Sequence, residues 1–197
     1  MRQIAEPFFK LDNRLAQFVS QSKEQILTQM RIAWWRDQLG KPVGERPEGD
    51  PVLDALSAHW QGEEAALIAL VDGWEGLLAE PPLPQDAARD FAEGRSECFA
   101  AIARLSGAAE FAHCARNAGI RWAYADLVSR MSNIQEASFV LSNASIPDHY
   151  EDQLPYKLRA LLILSRLADK ALSKTGGPLI EGRSDIIAVM RVGLLGR

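Results

Sequence analysis

Apolar residues return every third or fourth position along nearly the whole chain and nowhere alternate, so helices are the one regular structure that buries them consistently. Val and Ile, the usual strand formers, are sparse. With 197 residues there is enough chain for one sizeable core. No repeat, low-complexity tail or linker divides it. The expectation is an all-α, single-domain helical bundle over residues 1–197, with about seven or eight helices.

Local signals place those helices. The first runs over about 3–19, with Ile4, Phe8, Leu11, Leu15 and Phe18 on one face. Ser22 and Gln25 form a capping box for the second, whose inward line is read as Ile26, Met30, Ala33 and Trp34 and which stops near Gly40, before Lys41-Pro42. Asp50-Pro51 is an N-cap followed by proline at the first helical position, with Val52, Leu53, Leu56 and Trp60 facing inward. Helices over about 62–79, 85–106, 108–131 and 133–143 follow, the first of these ended by Pro81-Pro82-Leu83-Pro84. Gly94 is a place for close approach of another helix or a ligand, and Gly119 for close approach of another helix. Pro155 opens a helix with the core line Leu158, Leu161, Leu162, Ser165, Ala168 and Leu172, and Ser184 to Leu195 reads as a final short one.

Composition narrows the partners. A formal charge of -4 and the lack of a basic run argue against nucleic acid. The amino terminus lacks the unbroken apolar core of a signal peptide, and no run of apolar residues is long enough to span a bilayer, so the expected location is cytoplasmic, with peripheral contact to a membrane left open. Cys98 and Cys114 belong to no metal-binding spacing and read as buried thiols. His59, His113 and His149 occur singly, without a neighbouring nucleophile or second ligand.

The candidate site residues lie on the first two helices. Arg31 and Arg36 flank Trp34-Trp35, and Arg31 stands one turn before Trp35, which places a cation beside an aromatic face. In one reading Arg31 contacts a diphosphate or lipid headgroup and Trp35 walls a pocket; in the other the tryptophans stitch a helix into the bundle and the arginines meet carboxylates. Asp12 is either a salt-bridge partner or a lone magnesium ligand, and Mg²⁺ in diphosphate chemistry ordinarily needs more than one carboxylate. Asp90, Glu93 and Glu97 line one side of a helix, as do Asp72 and Glu75; both sets are a solvated face or a cation site. Asp126 and Arg130 form an i,i+4 ion pair.

Residues 8 to 39, FFKLDNRLAQFVSQSKEQILTQMRIAWWRDQL, resemble the opening of the squalene/phytoene synthase family, including its Trp-Trp-Arg-Asp helix. Weaker similarity runs through Asp50-Pro51-Val52, FAEGRSECFAAI at 91–102 and AGIRWAYADLVSRM at 118–131, and GLLGR at 193–197 is similar to the close of bacterial members. The resemblance is to a short, divergent bacterial member, and it implies the isoprenoid (terpenoid) synthase fold. Active members bind Mg²⁺ and two prenyl diphosphates through two aspartate-rich motifs. The first corresponds to 12–16, where Asp12 is present and the partner position is Ala16; the second corresponds to about 127–136, where Glu136 is the one acid. Two functions follow as expectations. One is a non-catalytic helical binding or assembly protein on this scaffold, meeting a protein, a membrane complex or a lipid, as relatives without the aspartate motifs are linked with respiratory complex I assembly. The other is a Mg²⁺-dependent prenyl transferase joining two prenyl diphosphates head to head, with Asp12, Arg31, Trp35 and Arg36 as substrate contacts. A purely structural subunit is a third.

Overall fold

The computed structural model describes residues 1–21, 24–148 and 154–173. Within them the chain is all helix and turn: α1 (Arg2–Ser20), α2 (Gln25–Gly40), α3 (Pro51–His59), α4 (Glu64–Gly76), α5 (Gln85–Leu105), α6 (Ala112–Ser129), α7 (Ile134–Ser142) and α8 (Arg159–Ser173), joined by short 3₁₀ turns. The expected helix at Ser184–Leu195 and the capping residue Ser22 lie outside the described residues.

The punctuation works as the local chemistry requires. Asp50 accepts hydrogen bonds from the backbone N–H groups of Val52 and Leu53 at 2.9 and 3.1 Å, capping α3. Asn133 does the same for α7 through Gln135 and Glu136. The 62–79 helix is shorter than expected: α4 ends at Gly76, and Leu77, Leu78 and Ala79 form turns. Glu24 stands at the N-cap of α2 without a side-chain cap bond, and Gln25 donates its side-chain amide to the Leu78 carbonyl.

The centre is a layer in which α5 packs against α4 on one side and α6 on the other. Glycines set that spacing. A Cβ on Gly94 would stand 2.3 Å from the Ala69 carbonyl oxygen, one on Gly73 would stand 2.7 Å from the Phe91 Cα, and one on Gly119 would stand 2.7 Å from the Ser96 Cα. These are backbone atoms, so no side-chain adjustment could make room. Around the layer, α1 packs on α3 and α4, α2 on α4, and α8 on α6. Phe8, Leu11, Trp60, Phe99 and Trp122 make the aromatic and aliphatic heart of the core, with Phe99 and Trp122 stacked 5.3 Å apart.

The inward face of α2 is not the one the periodicity predicts. Thr28, Ile32, Trp35 and Leu39 are buried, whereas Ile26, Met30 and Trp34 are exposed and Ala33 is half-buried. Both sets repeat at helical spacing, so the pattern alone offers two solutions. The ion pairs of Arg36 with Asp72 and Glu75 on α4 accompany the second, in which Trp35 is covered by the bundle.

Candidate functional site

The interior holds a charged cluster built from three helices. Gly94 presses α5 against α4, and that contact sets the rotation of α5 so that the next residue, Arg95, points inward in register with Phe91, Cys98 and Ile102. Asp12 stands among Phe8, Leu11 and Leu15 on α1, and Asp126 follows Trp122 by one turn on α6. Arg95, 1% exposed, reaches both acids. Its Nε and one terminal nitrogen donate to Asp12 at 2.9 and 2.8 Å, and its other terminal nitrogen donates to Asp126 at 2.7 Å.

Further donors reach both acids. Trp74 Nε1 donates to Asp12 at 2.8 Å, and Arg130 donates twice to the second oxygen of Asp126 at 3.0 Å. The Arg95 guanidinium also lies 4.2 Å from the ring centre of Trp122, 4.5 Å from Phe91 and 5.0 Å from Trp74, within cation–π range of all three. Burial works against the charge on Arg95, but Asp12 and Asp126 outweigh it and raise its pKa above the ordinary value. Burial likewise opposes the charge on Asp126, yet Arg95 and Arg130 hold its pKa below the usual carboxylate range. All four carboxylate oxygens are thus hydrogen-bonded, and two arginines balance two acids. A divalent cation placed between these acids would have to displace the guanidinium. Among the described residues no group of three or more His, Cys, Asp and Glu side chains is placed to hold a metal ion.

The four residues singled out in the sequence fall into three different places. Asp12 belongs to the buried cluster as a salt-bridge partner, and its bonding leaves no free oxygen for magnesium. Arg36 is bound to Asp72 and Glu75, which assigns that acid pair to an interhelix contact. Arg31 and Trp35 share a groove between α1 and α2, but not as a stacked pair. Arg31 lies over Phe18 at 5.8 Å, and Arg14 takes the place over Trp35 at 5.2 Å while pairing with Asp50 at 2.5 Å. Trp35 is turned inward and 2% exposed; Trp34, expected in the core, is on the surface.

That groove is open, about 770 Å³, and lined by Phe18, Leu27, Met30, Trp34 and Trp35 with Arg14 and Arg31 on its walls. A smaller cleft of about 260 Å³ lies over the buried cluster between Ala16, Trp74, Leu127, Arg130 and Glu136. Neither contains a group of acids. Glu136 accepts the Leu83 N–H at 2.7 Å and so tethers the proline-rich turn. The Asp90, Glu93 and Glu97 stripe is a surface face in which Asp90 bonds Arg89 and Glu97 bonds Arg116. Cys98 is buried, its thiol pKa pushed well up by burial, and it donates to the Ala66 carbonyl; Cys114 is half-buried, not fully buried as expected. No described helix is long and apolar enough to cross a membrane.

Comparison of the chain with protein-family models, curated proteins and solved structures finds no match.

Sequence reading missed Arg95 as the centre of this arrangement. The signal was present: Phe91, Arg95, Cys98 and Ile102 fall on one helical face, Asp12 interrupts the stripe of Phe8 and Leu15, and Asp126 continues the face of Trp122. Charges of opposite sign in the inward register of separate helices are the mark of a buried ion cluster.

Proposed function

We propose that this chain is a non-catalytic helical binding or assembly protein on a scaffold resembling the squalene/phytoene synthases. One observation carries the reading: the acid that the resemblance assigns to the metal site, Asp12, is neutralised by an arginine of the chain itself, and Asp126 shares that arginine. Diphosphate departure needs a concentrated positive charge at the leaving group. Here the buried cation is fully occupied by carboxylates and shielded by three aromatic rings.

The surface supports the same reading. An apolar ridge on α2, with Ile26, Leu27, Met30 and Trp34, stands exposed, and its last three residues line a groove without a carboxylate cluster. Titration with farnesyl and geranylgeranyl diphosphate, with and without Mg²⁺, followed by product analysis of the same mixtures, tests the proposal. No magnesium-dependent binding and no head-to-head product are expected. A magnesium-dependent condensation product would overturn it and restore the prenyl transferase.

A further inference from the structure

The ridge on α2 carries an inference about its occupant. Ile26, Leu27, Met30 and Trp34 are 72, 47, 64 and 39% exposed, and these four make up much of the large apolar surface that the described residues leave in water. A helix that is apolar on both faces is ordinarily covered on both. Two charges flank the ridge. Arg31 and Asp37 stand three residues before and three after Trp34, which at about 100° per residue puts them on opposite sides of the Met30–Trp34 row. Among the described residues neither makes an ion pair; Arg31 meets only the ring of Phe18.

We propose that the ridge is covered by a second copy of this chain, packed about a two-fold axis that runs along the Met30–Trp34 row. This rests on the reading of the chain as a binding protein and names its partner. An i,i+4 row laid beside the same row of another helix gives a crossing near 50°, the commonest class of helix packing. Rotation by half a turn about that axis brings Arg31 of each copy towards Asp37 of the other, so the surface is self-complementary in charge, as an isologous interface requires. Met30 and Trp34 pack beside their counterparts across the axis. An anionic bilayer fits less well, because Asp37 and Glu24 stand at the ends of the same helix and the chain carries a formal charge of -4.

Sedimentation velocity of the full chain over a range of concentrations tests this, with Met30→Glu, Arg31→Asp and the paired exchange Arg31→Asp with Asp37→Arg. All three positions are exposed, and circular dichroism checks that each variant folds. A concentration-dependent dimer is expected for the native chain and a monomer for Met30→Glu. Arg31→Asp should weaken dimerisation by about tenfold or more, and the paired exchange should return most of that loss. A monomer at every concentration, a dimer indifferent to Met30→Glu, or a paired exchange as weak as the single one each overturns the proposal. Flotation with vesicles of phosphatidylcholine and phosphatidylglycerol is the companion measurement: a monomer that binds them through Met30 assigns the ridge to lipid instead. A dimer that also condensed prenyl diphosphates would overturn the non-catalytic reading alone.

Discussion

Replacing Arg95 with methionine removes the one cation shared by two buried acids while keeping a side chain of similar length inside the ring of Trp74, Phe91 and Trp122. The consequences for the acids differ. Asp126 keeps Arg130, whereas Asp12 keeps only the indole N–H of Trp74. Breaking a buried ion pair by removing one partner costs about 3–5 kcal/mol, because the other charge stays in a poorly solvating interior. For a chain of this length each kcal/mol moves Tm by about 2–4 °C, so a fall of roughly 6–20 °C is expected. The pH dependence separates this from a simple packing defect. Without Arg95 the Asp12 carboxylate is buried beside no cation, a cost that falls on its charged form alone. The deficit in urea-denaturation free energy should therefore be largest near pH 7 and shrink towards about pH 5. Adding Asp12→Asn and Asp126→Asn to the variant should recover part of the loss. A deficit under about 1 kcal/mol at pH 7, or one unchanged between the two pH values, would refute the argument that Arg95 is held by charge.

The orientation of α2 makes Trp35→Ala costly, about 3–5 kcal/mol in chemical denaturation, and Trp34→Ala, at a partly exposed ring, clearly less so; the reverse order would return Trp34 to the core. Gly94→Ala should destabilise by about 2 kcal/mol or more because its Cβ meets backbone, while Gly76→Ala, whose nearest neighbour stands at 3.6 Å, should stay within about 1 kcal/mol of the native protein; equal effects would show that the close approach does not set the packing. Asp126 and Asp50 both have pKa values held below the ordinary carboxylate range: burial opposes their charge, but Arg95 and Arg130 prevail at Asp126, and the Leu53 N–H and Arg14 at Asp50. Their stabilisation is present above the unfolded pKa of about 4 and is lost as pH falls below it through the folded values. An acid-denaturation profile should steepen there, and Asp50→Ala, which also removes the α3 cap, should flatten it and cost about 1–2 kcal/mol at pH 7; a profile identical to the native one would remove Asp50 from this account.

Several helices were legible because a local marker stands beside them: proline at the start of α3, the proline run after α4 and Gly40 at the end of α2. Those markers act within a turn of the residues that carry them. The orientation of α2 was not legible, since Met30 and Trp34 repeat as regularly as Ile32, Trp35 and Leu39, and the choice between them depends on α4 and α1, remote in sequence. The site was half legible. Asp12 was visible as a lone acid on an apolar face, but its partner stands 83 residues away, and only the packing of Gly94 on Ala69 aims Arg95 at it. Pairing is a tertiary fact that local patterns do not contain.

The glycine contacts along α4, α5 and α6 bear on how the molecule moves. Helices whose backbones touch cannot slide or roll over one another without separating first, so this layer opens only when the whole fold does. Hydrogen exchange should be slowest in α5 and in its neighbours, while α2 and α7, each with an exposed apolar side, exchange through smaller openings. Any partner that remodels this protein must then act on the outer helices and leave the layer beneath them rigid.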